Sequence, residues 1–283
     1  NNSLFLHLMM KVPFFNYPHL FTAQENEFSR ILKDVGSRGA FIMQQDLQNF
    51  EQRVADYCGS KYAVGVDNAT DGLQLGLMAG GVEAGAEVII CSHTMIATAS
   101  AVHFAGAIPV PVEVGSDHTI DPDAIAGSIT PKTRAIIPTQ LNGRTADMAA
   151  IQSIADQYGL DIYEDAAQAL GAKFKGQYAG TFGKAACISF YPAKILGCLG
   201  DGGLVLTSDR EIYDKLLLLR DHGRANDGDI SLWGFNTRLD NLQAAFLNFQ
   251  FDNYDQVIKR RREIAAQYQE FLEDVDQIQL PPD

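Results

Sequence analysis

From residue 61 to about 208, short runs rich in β-branched and aliphatic residues alternate with longer amphipathic segments, and this alternation restricts the fold more than any other feature. A strand buried on both faces reads as a continuous apolar run, and 62–66, 88–91, 108–114, 134–138, 161–163, 186–190 and 203–207 have that character. Between them, 70–79, 96–105, 122–129, 148–158 and 211–219 repeat apolar residues at helical spacing, with Gly106 and Gly159 placed as C-terminal stops. The expected fold is α/β, a mainly parallel seven-stranded sheet sandwiched by helices.

Composition narrows the function. The 283 residues are 46% hydrophobic and 20% charged, a globular balance with enough apolar surface for a large core. A net charge of -13 disfavours nucleic acid, because neutralising phosphates needs an excess of Lys and Arg. The basic run Lys259, Arg260, Arg261 and Arg262 reads as a solvated helix face. Cys58, Cys91, Cys187 and Cys198 form no C-x-x-C pair and no zinc-ligand spacing, which suits a reduced, cytoplasmic protein and implies no metal. No apolar run approaches the ~20 residues that span a bilayer. Residues 4–10 lack a preceding basic residue and do not read as a signal peptide; Met10 reads as the start, and 1–10 as a disordered leader.

After Asp221 a polar, Gly-containing loop over 222–234 is long enough to carry function. The stretch 241–274 then contains no Gly or Pro, and Leu242, Ala245, Phe249 and Ile258 recur at helical spacing, so one long helix is expected. The domain division that follows is a large domain over 11–245 and, over 246–283, a long helix leading to a C-terminal domain that is mostly absent.

Three segments carry candidate chemistry. Asn68-Ala69-Thr70-Asp71-Gly72 stands between a strand and a helix, where free backbone N–H groups and a hydroxyl suit a phosphate; a plain N-cap is the other reading. Asp161-Ile162-Tyr163-Glu164-Asp165 runs from a strand into two acids, placed where open α/β sheets bind ligands, although a capped helix start has the same signature. Lys194, after Ser189-Phe190-Tyr191-Pro192-Ala193 and before Gly197, Gly200, Gly202 and Gly203, is either surface charge or a partly desolvated amine able to form a Schiff base.

Together with Gly200-Asp201-Gly202-Gly203, Leu219-Arg220-Asp221-His222-Gly223 and Gly234-Phe235-Asn236-Thr237-Arg238-Leu239-Asp240, these motifs resemble the DegT/DnrJ/EryC1/StrS family of pyridoxal-phosphate-dependent sugar aminotransferases, of fold type I, from about residue 11 to the end. The resemblance implies transamination of a nucleotide-linked keto-sugar with L-glutamate. It implies Lys194 as the cofactor-bearing lysine and Asp165 as the partner of the pyridine nitrogen, with Gln168 near the phenolic oxygen. Ser189 and the backbone of Thr70 and Asp71 would hold the phosphate, Met95 would lie on the ring where the family carries an aromatic, and Asn236 would come from the other subunit of a homodimer. His222 and Arg238 match family positions and read as structural.

Gln140 and Asn142 replace a His and a Tyr of the family, which changes the expected sugar-side contacts. The alternatives are a pyridoxal-phosphate sugar dehydratase, which would carry His in place of Lys194, and a truncated cofactor-binding regulatory relative without turnover.

Overall fold

The computed structural model describes residues 13–225 and 227–280; the expected leader over 1–10 lies outside them. Three helices precede the sheet, α1 (Tyr17–Thr22), α2 (Glu25–Arg38) and α3 (Gln45–Cys58). The strands are β1 (Tyr62–Val66), β2 (Glu87–Cys91), β3 (Ile108–Val112), β4 (Thr133–Ile137), β5 (Asp161–Asp165), the short hairpin β6 (Lys173–Phe174) and β7 (Gln177–Tyr178), then β8 (Ala185–Ser189) and β9 (Gly203–Thr207). The central sheet has seven strands in the order β1-β9-β8-β5-β4-β2-β3. Pairings from β3 across to β8 are parallel, and β9 lies antiparallel between β8 and β1. The mainly parallel α/β sheet is therefore as the residue pattern requires. The helices that precede the sheet and the β6–β7 hairpin are not marked by that pattern.

The remaining helices are α4 (Ala69–Ala79), α5 (Ile96–Phe104), α6 (Pro122–Gly127), α7 (Met148–Tyr158), α8 (Arg210–Arg220), α9 (Asn241–Phe251) and α10 (Tyr254–Leu272). Side chains of period two split between the two faces of the sheet. Val64, Val88, Ile137, Tyr163 and Val205 meet α4, α5 and α8. On the other face Ile89, Ile136 and Ile162 meet α6 and α7, while Ile188 and Leu206 meet α3 and α9. Leu73, Leu75 and Leu77 of α4 are buried, each contributing about 1.5–3 kcal/mol relative to exposure, and this fixes the start of α4 against the strand ends.

One buried ion pair secures β1. Arg220 contacts Glu51 and donates to the Gly65 carbonyl at 3.0 Å, while Glu51 accepts the Gly65 N–H at 2.7 Å. A Cβ at Gly65 would strike Leu47, so the close approach of α3 to β1 needs glycine there.

The single helix expected over 241–274 is corrected: the chain breaks at Asp252 and Asn253 between α9 and α10. The amides of both residues bond three residues back, to Phe249 and Gln250 carbonyls, tightening the turn. The break turns Tyr254 into the core, where it is stacked with Phe251 and donates its hydroxyl to the Leu170 carbonyl at 2.8 Å. Residue 245 lies inside α9, and beyond Tyr254 no residue of α10 is buried.

Candidate active site

The C-terminal ends of β2, β4, β5 and β8 open onto a cavity of about 640 Å³, closed on one side by the start of α4 and on another by the loop carrying Lys194. Open α/β sheets bind ligands in this position because strand ends and helix N-termini converge there. Thr70, Asp71, Met95, Asp165, Gln168, Ser189 and Lys194 all line the cavity, so seven of the eight residues singled out from the sequence come together. Asn236 does not: it is exposed on the loop after α8, bridged to Asp221.

At the start of α4 the side chain of Asn68 caps the helix, accepting the Asp71 N–H at 2.9 Å. The Asp71 amide is engaged by that cap, and Asp71 itself lines the cavity. Among the described residues the amides of Ala69 and Thr70 have no acceptor, as the first turn of a helix requires, and the positive end of the helix faces the cavity there. A Cβ on Gly203 would collide with the Asn68 carbonyl, so the motif glycine lets β9 pass close beneath the helix start. The hydroxyl of Ser189 accepts the Tyr191 N–H at 3.3 Å and keeps its own proton to donate. Behind the cap, Asp67 accepts from Thr237 and Asn68 at 2.7 Å each; burial, together with the neighbouring Asp71, pushes its carboxyl up to about 6.

The two acids at the end of β5 point to opposite faces. Asp165 faces the cavity, with Oδ2 accepting from Thr98 at 2.6 Å and Oδ1 accepting the Ala167 N–H at 3.2 Å. Glu164 is fully buried on the other side, where it accepts from Gln140, Gly180 and Phe182; desolvation pushes its carboxyl up and these donors oppose that shift. Gln140 is likewise fully buried, bound to Glu164 and to the Ala146 N–H, so its side chain does not line the cavity. Asn142, in a left-handed conformation (φ 54°), does reach the surface of an adjoining cavity of about 430 Å³. Its backbone N–H donates to Gln168 Oε1 at 3.1 Å, which leaves the Gln168 amide NH₂ to donate.

Lys194 is half-buried in a tight loop: its N–H donates to the Tyr191 carbonyl, and the ends of the loop are tied by Phe190 N–H to Gly202 and Cys198 N–H to Phe190. Desolvation lowers the affinity of its amine for a proton, partly offset by the nearby carboxylate of Asp165. Met95 is 62% exposed and caps α5, its sulfur accepting the Ala97 N–H at 3.1 Å, so it is not core packing beneath the sheet. Arg238 pairs with Asp221 at 2.7 Å, and His222 donates its N–H to the Phe235 carbonyl at 2.7 Å, both within the loop framework. The basic run over 259–262 is exposed on α10, although Arg261 also borders the 430 Å³ cavity.

Sequence reading missed Thr98, Thr94, Thr139 and Cys187. Their signals were present in part: Thr94 and Thr98 are one helical turn apart, and Cys187 shares a strand face with Ser189 by alternation.

The chain matches the DegT/DnrJ/EryC1/StrS aminotransferase family over residues 22–283, and it belongs to that family. It is 42% identical over 272 residues to the dTDP-3-amino-3,4,6-trideoxy-alpha-D-glucose transaminase of Streptomyces venezuelae, covering 96% of this chain and 72% of the relative. It is 40% identical to the UDP-2-acetamido-2-deoxy-3-oxo-D-glucuronate aminotransferase of Pseudomonas aeruginosa, over 84% of this chain and 66% of that protein. The crystal structure of S. venezuelae DesV superposes with a TM-score of 0.92 at 41% identity, over 96% of this chain and 74% of DesV. The chain is a pyridoxal-phosphate-dependent aminotransferase of fold type I.

Proposed function

We propose that this aminotransferase moves the amino group of L-glutamate onto a keto-sugar carried by a nucleotide, with Lys194 and Asp165 as the residues that act on the cofactor. The single observation that carries the reading is the pairing, in one cavity, of a half-buried lysine whose proton affinity is lowered with a buried carboxylate on the facing strand end. The donor set fits pyridoxal phosphate. A helix start with open amides and a nearby hydroxyl suits a dianion, Asp165 offers a carboxylate to a cationic ring nitrogen, and Lys194 offers an amine to an aldehyde. A cavity of about 640 Å³ is of the size that small-molecule sites take.

When bound, pyridoxal phosphate supplies an aldehyde that takes up amino groups and a ring that withdraws electrons from the substrate carbon. Thr70 and Ser189 hold the phosphate, Ser189 through its hydroxyl and Thr70 through its open amide. Asp165 keeps a proton on the ring nitrogen, and Gln168 donates to the phenolic oxygen. Met95, exposed at the cavity edge, would cover one ring face. Because burial favours the neutral amine, Lys194 Nζ would take a proton from the substrate carbon and hold it for redelivery.

The adjoining cavity, bordered by Asn142, Tyr191 and Arg261, gives the sugar a place beside Lys194. Asn236, remote from the cavity of its own chain, joins the phosphate site of a second copy in a homodimer; the loop preceding it exposes Trp233 at 95% and Ile230 at 61%. Residues 11–245 form the cofactor-binding domain in this reading, and the exposed helix α10 leads toward a second domain. Four free, buried cysteines suit a reducing cytoplasm, and no helix among the described residues is long and apolar enough to cross a membrane.

The test is Lys194→Ala beside Lys184→Ala. Lys184 pairs with Asp161 at 2.8 Å on the surface and serves as the control. Lys194→Ala should lose the visible absorbance of the loaded protein and roughly a thousandfold or more of glutamate-dependent turnover, since nucleophile and base vanish together. Lys184→Ala should stay within a few fold of the parent. Normal turnover in Lys194→Ala would overturn the assignment.

A further inference from the structure

We propose that Thr139, Thr94 and Thr98 form a directional chain of hydroxyls that holds Asp165 in place and supports its negative charge against the ring nitrogen of pyridoxal phosphate, with Thr98 as a positioning residue. This rests on the reading of Asp165 given above.

The direction of the chain follows from valence. Thr98 Oγ1 lies 2.6 Å from Asp165 Oδ2, and a carboxylate has no proton to give, so the Thr98 hydroxyl donates there. Its proton spent, Thr98 can only accept from Thr94, 2.7 Å away. Thr94 in turn accepts from Thr139 at 3.1 Å. Three hydroxyls from the end of β4 and the start of α5 thus point their protons one way, toward the carboxylate, and in such a series each donor polarises the next.

Burial makes the arrangement consequential. Thr98 is fully buried and Thr139 and Asp165 nearly so, while Thr94 is half-buried at the cavity wall, so water does not readily replace the Thr98 hydroxyl at the carboxylate. The other oxygen, Oδ1, has the Ala167 N–H at 3.2 Å and the Cys187 thiol at 3.8 Å; Oδ2 has the hydroxyl of Thr98. A proton shared between a carboxylate and a ring nitrogen rests on the more basic partner, and a donor to the carboxylate favours its charged form. The Thr98 hydroxyl therefore keeps the shared proton on the ring. The same turn of α5 sets Met95, whose carbonyl accepts the Thr98 N–H at 3.1 Å, so ring cover and carboxylate support are placed together.

The experiment compares binding of two ligands to the apoprotein by fluorescence titration: pyridoxal phosphate, and its analogue with CH in place of the ring nitrogen. The parent protein should prefer the nitrogen-containing ligand. Thr98→Val, equal in shape without the hydroxyl, should reduce that preference by about tenfold, the scale of one hydrogen bond to a charged group. Thr98→Ser should retain it within a few fold. Thr94→Val, which leaves the Asp165 contact and removes its support, should reduce the preference by roughly threefold and gives the result if Thr98→Val does not fold. Equal weakening of both ligands, or an unchanged preference in the valine variants, overturns the relay while leaving the role of Asp165 intact. A parent protein that binds both ligands alike overturns the assignment of Asp165 and the relay with it.

Discussion

Gln140 donates its side-chain amide to Glu164 Oε2 at 2.8 Å, with both residues fully buried on the face of β5 opposite the cavity. Gln140 Oε1 accepts the Ala146 N–H, and Glu164 also accepts from Gly180 and Phe182, so the pair ties the end of β4 to the loop before β8. The backbone of the same two strand ends positions Asp165, whose N–H donates to Pro138 and whose carbonyl accepts from Gln140.

Glu164→Gln should therefore destabilise the chain. An amide in place of the carboxylate turns its own NH₂ toward donors, and unsatisfied buried groups of this kind cost about 1–3 kcal/mol each. Urea unfolding of parent and variant measures the difference. Equal unfolding midpoints and slopes would show that the three donors do not depend on the charge.

Asp67 gives a pH dependence with a definite sign. Folding raises its carboxyl from the ordinary range near 4 to about 6, so between those values the folded chain binds more protons than the unfolded one. Stability from this group is present at the acid end of that window and is lost as pH rises through about 6. Asp67→Asn retains an oxygen for Thr237 and carries no charge. It should melt higher than the parent near neutral pH, with the advantage disappearing toward pH 4, in thermal scans across the window.

Asn236 tests assembly. If it completes the phosphate site of a neighbouring copy, mixing inactive Lys194→Ala with inactive Asn236→Asp should restore activity, because a heterodimer holds one site with both residues intact. Random exchange of equal amounts leaves about a quarter of all sites whole. No recovery despite demonstrated subunit exchange would place Asn236 in the service of its own chain.

Met95→Tyr should slow release of pyridoxamine phosphate, which has no covalent link to Lys194, by up to roughly tenfold, since offset stacking contributes about 0.5–1.5 kcal/mol beyond area burial. Because Met95 is 62% exposed at the cavity edge, the larger side chain meets no core and the melting temperature should hold. A lower melting temperature with unchanged or faster release would mean that residue 95 does not cover the ring.

The α/β class, the strand positions and the cluster of site motifs were legible in the residue order, because both apolar periodicity and turn glycines act over a few residues. Strand 203–207 and helix 148–158 match the observed bounds, and the motif residues Asp165, Ser189 and Lys194 sit at or just beyond strand ends, as their placement implied. Tertiary structure alone decided the rest. The antiparallel insertion of β9 between β1 and β8 depends on pairing between segments more than 100 residues apart, about which local pattern says nothing. Adjacent acids Glu164 and Asp165 look equivalent in sequence, and only the packing on each face of β5 makes one a buried clamp and the other a cavity group. The relay to Asp165 joins residues 45 and 67 positions apart, and the break at Asp252 and Asn253 exists because Tyr254 finds Leu170 and Phe251 to pack on. Hydrogen bonds and side-chain packing of this kind form between surfaces that the chain brings together only once it is folded.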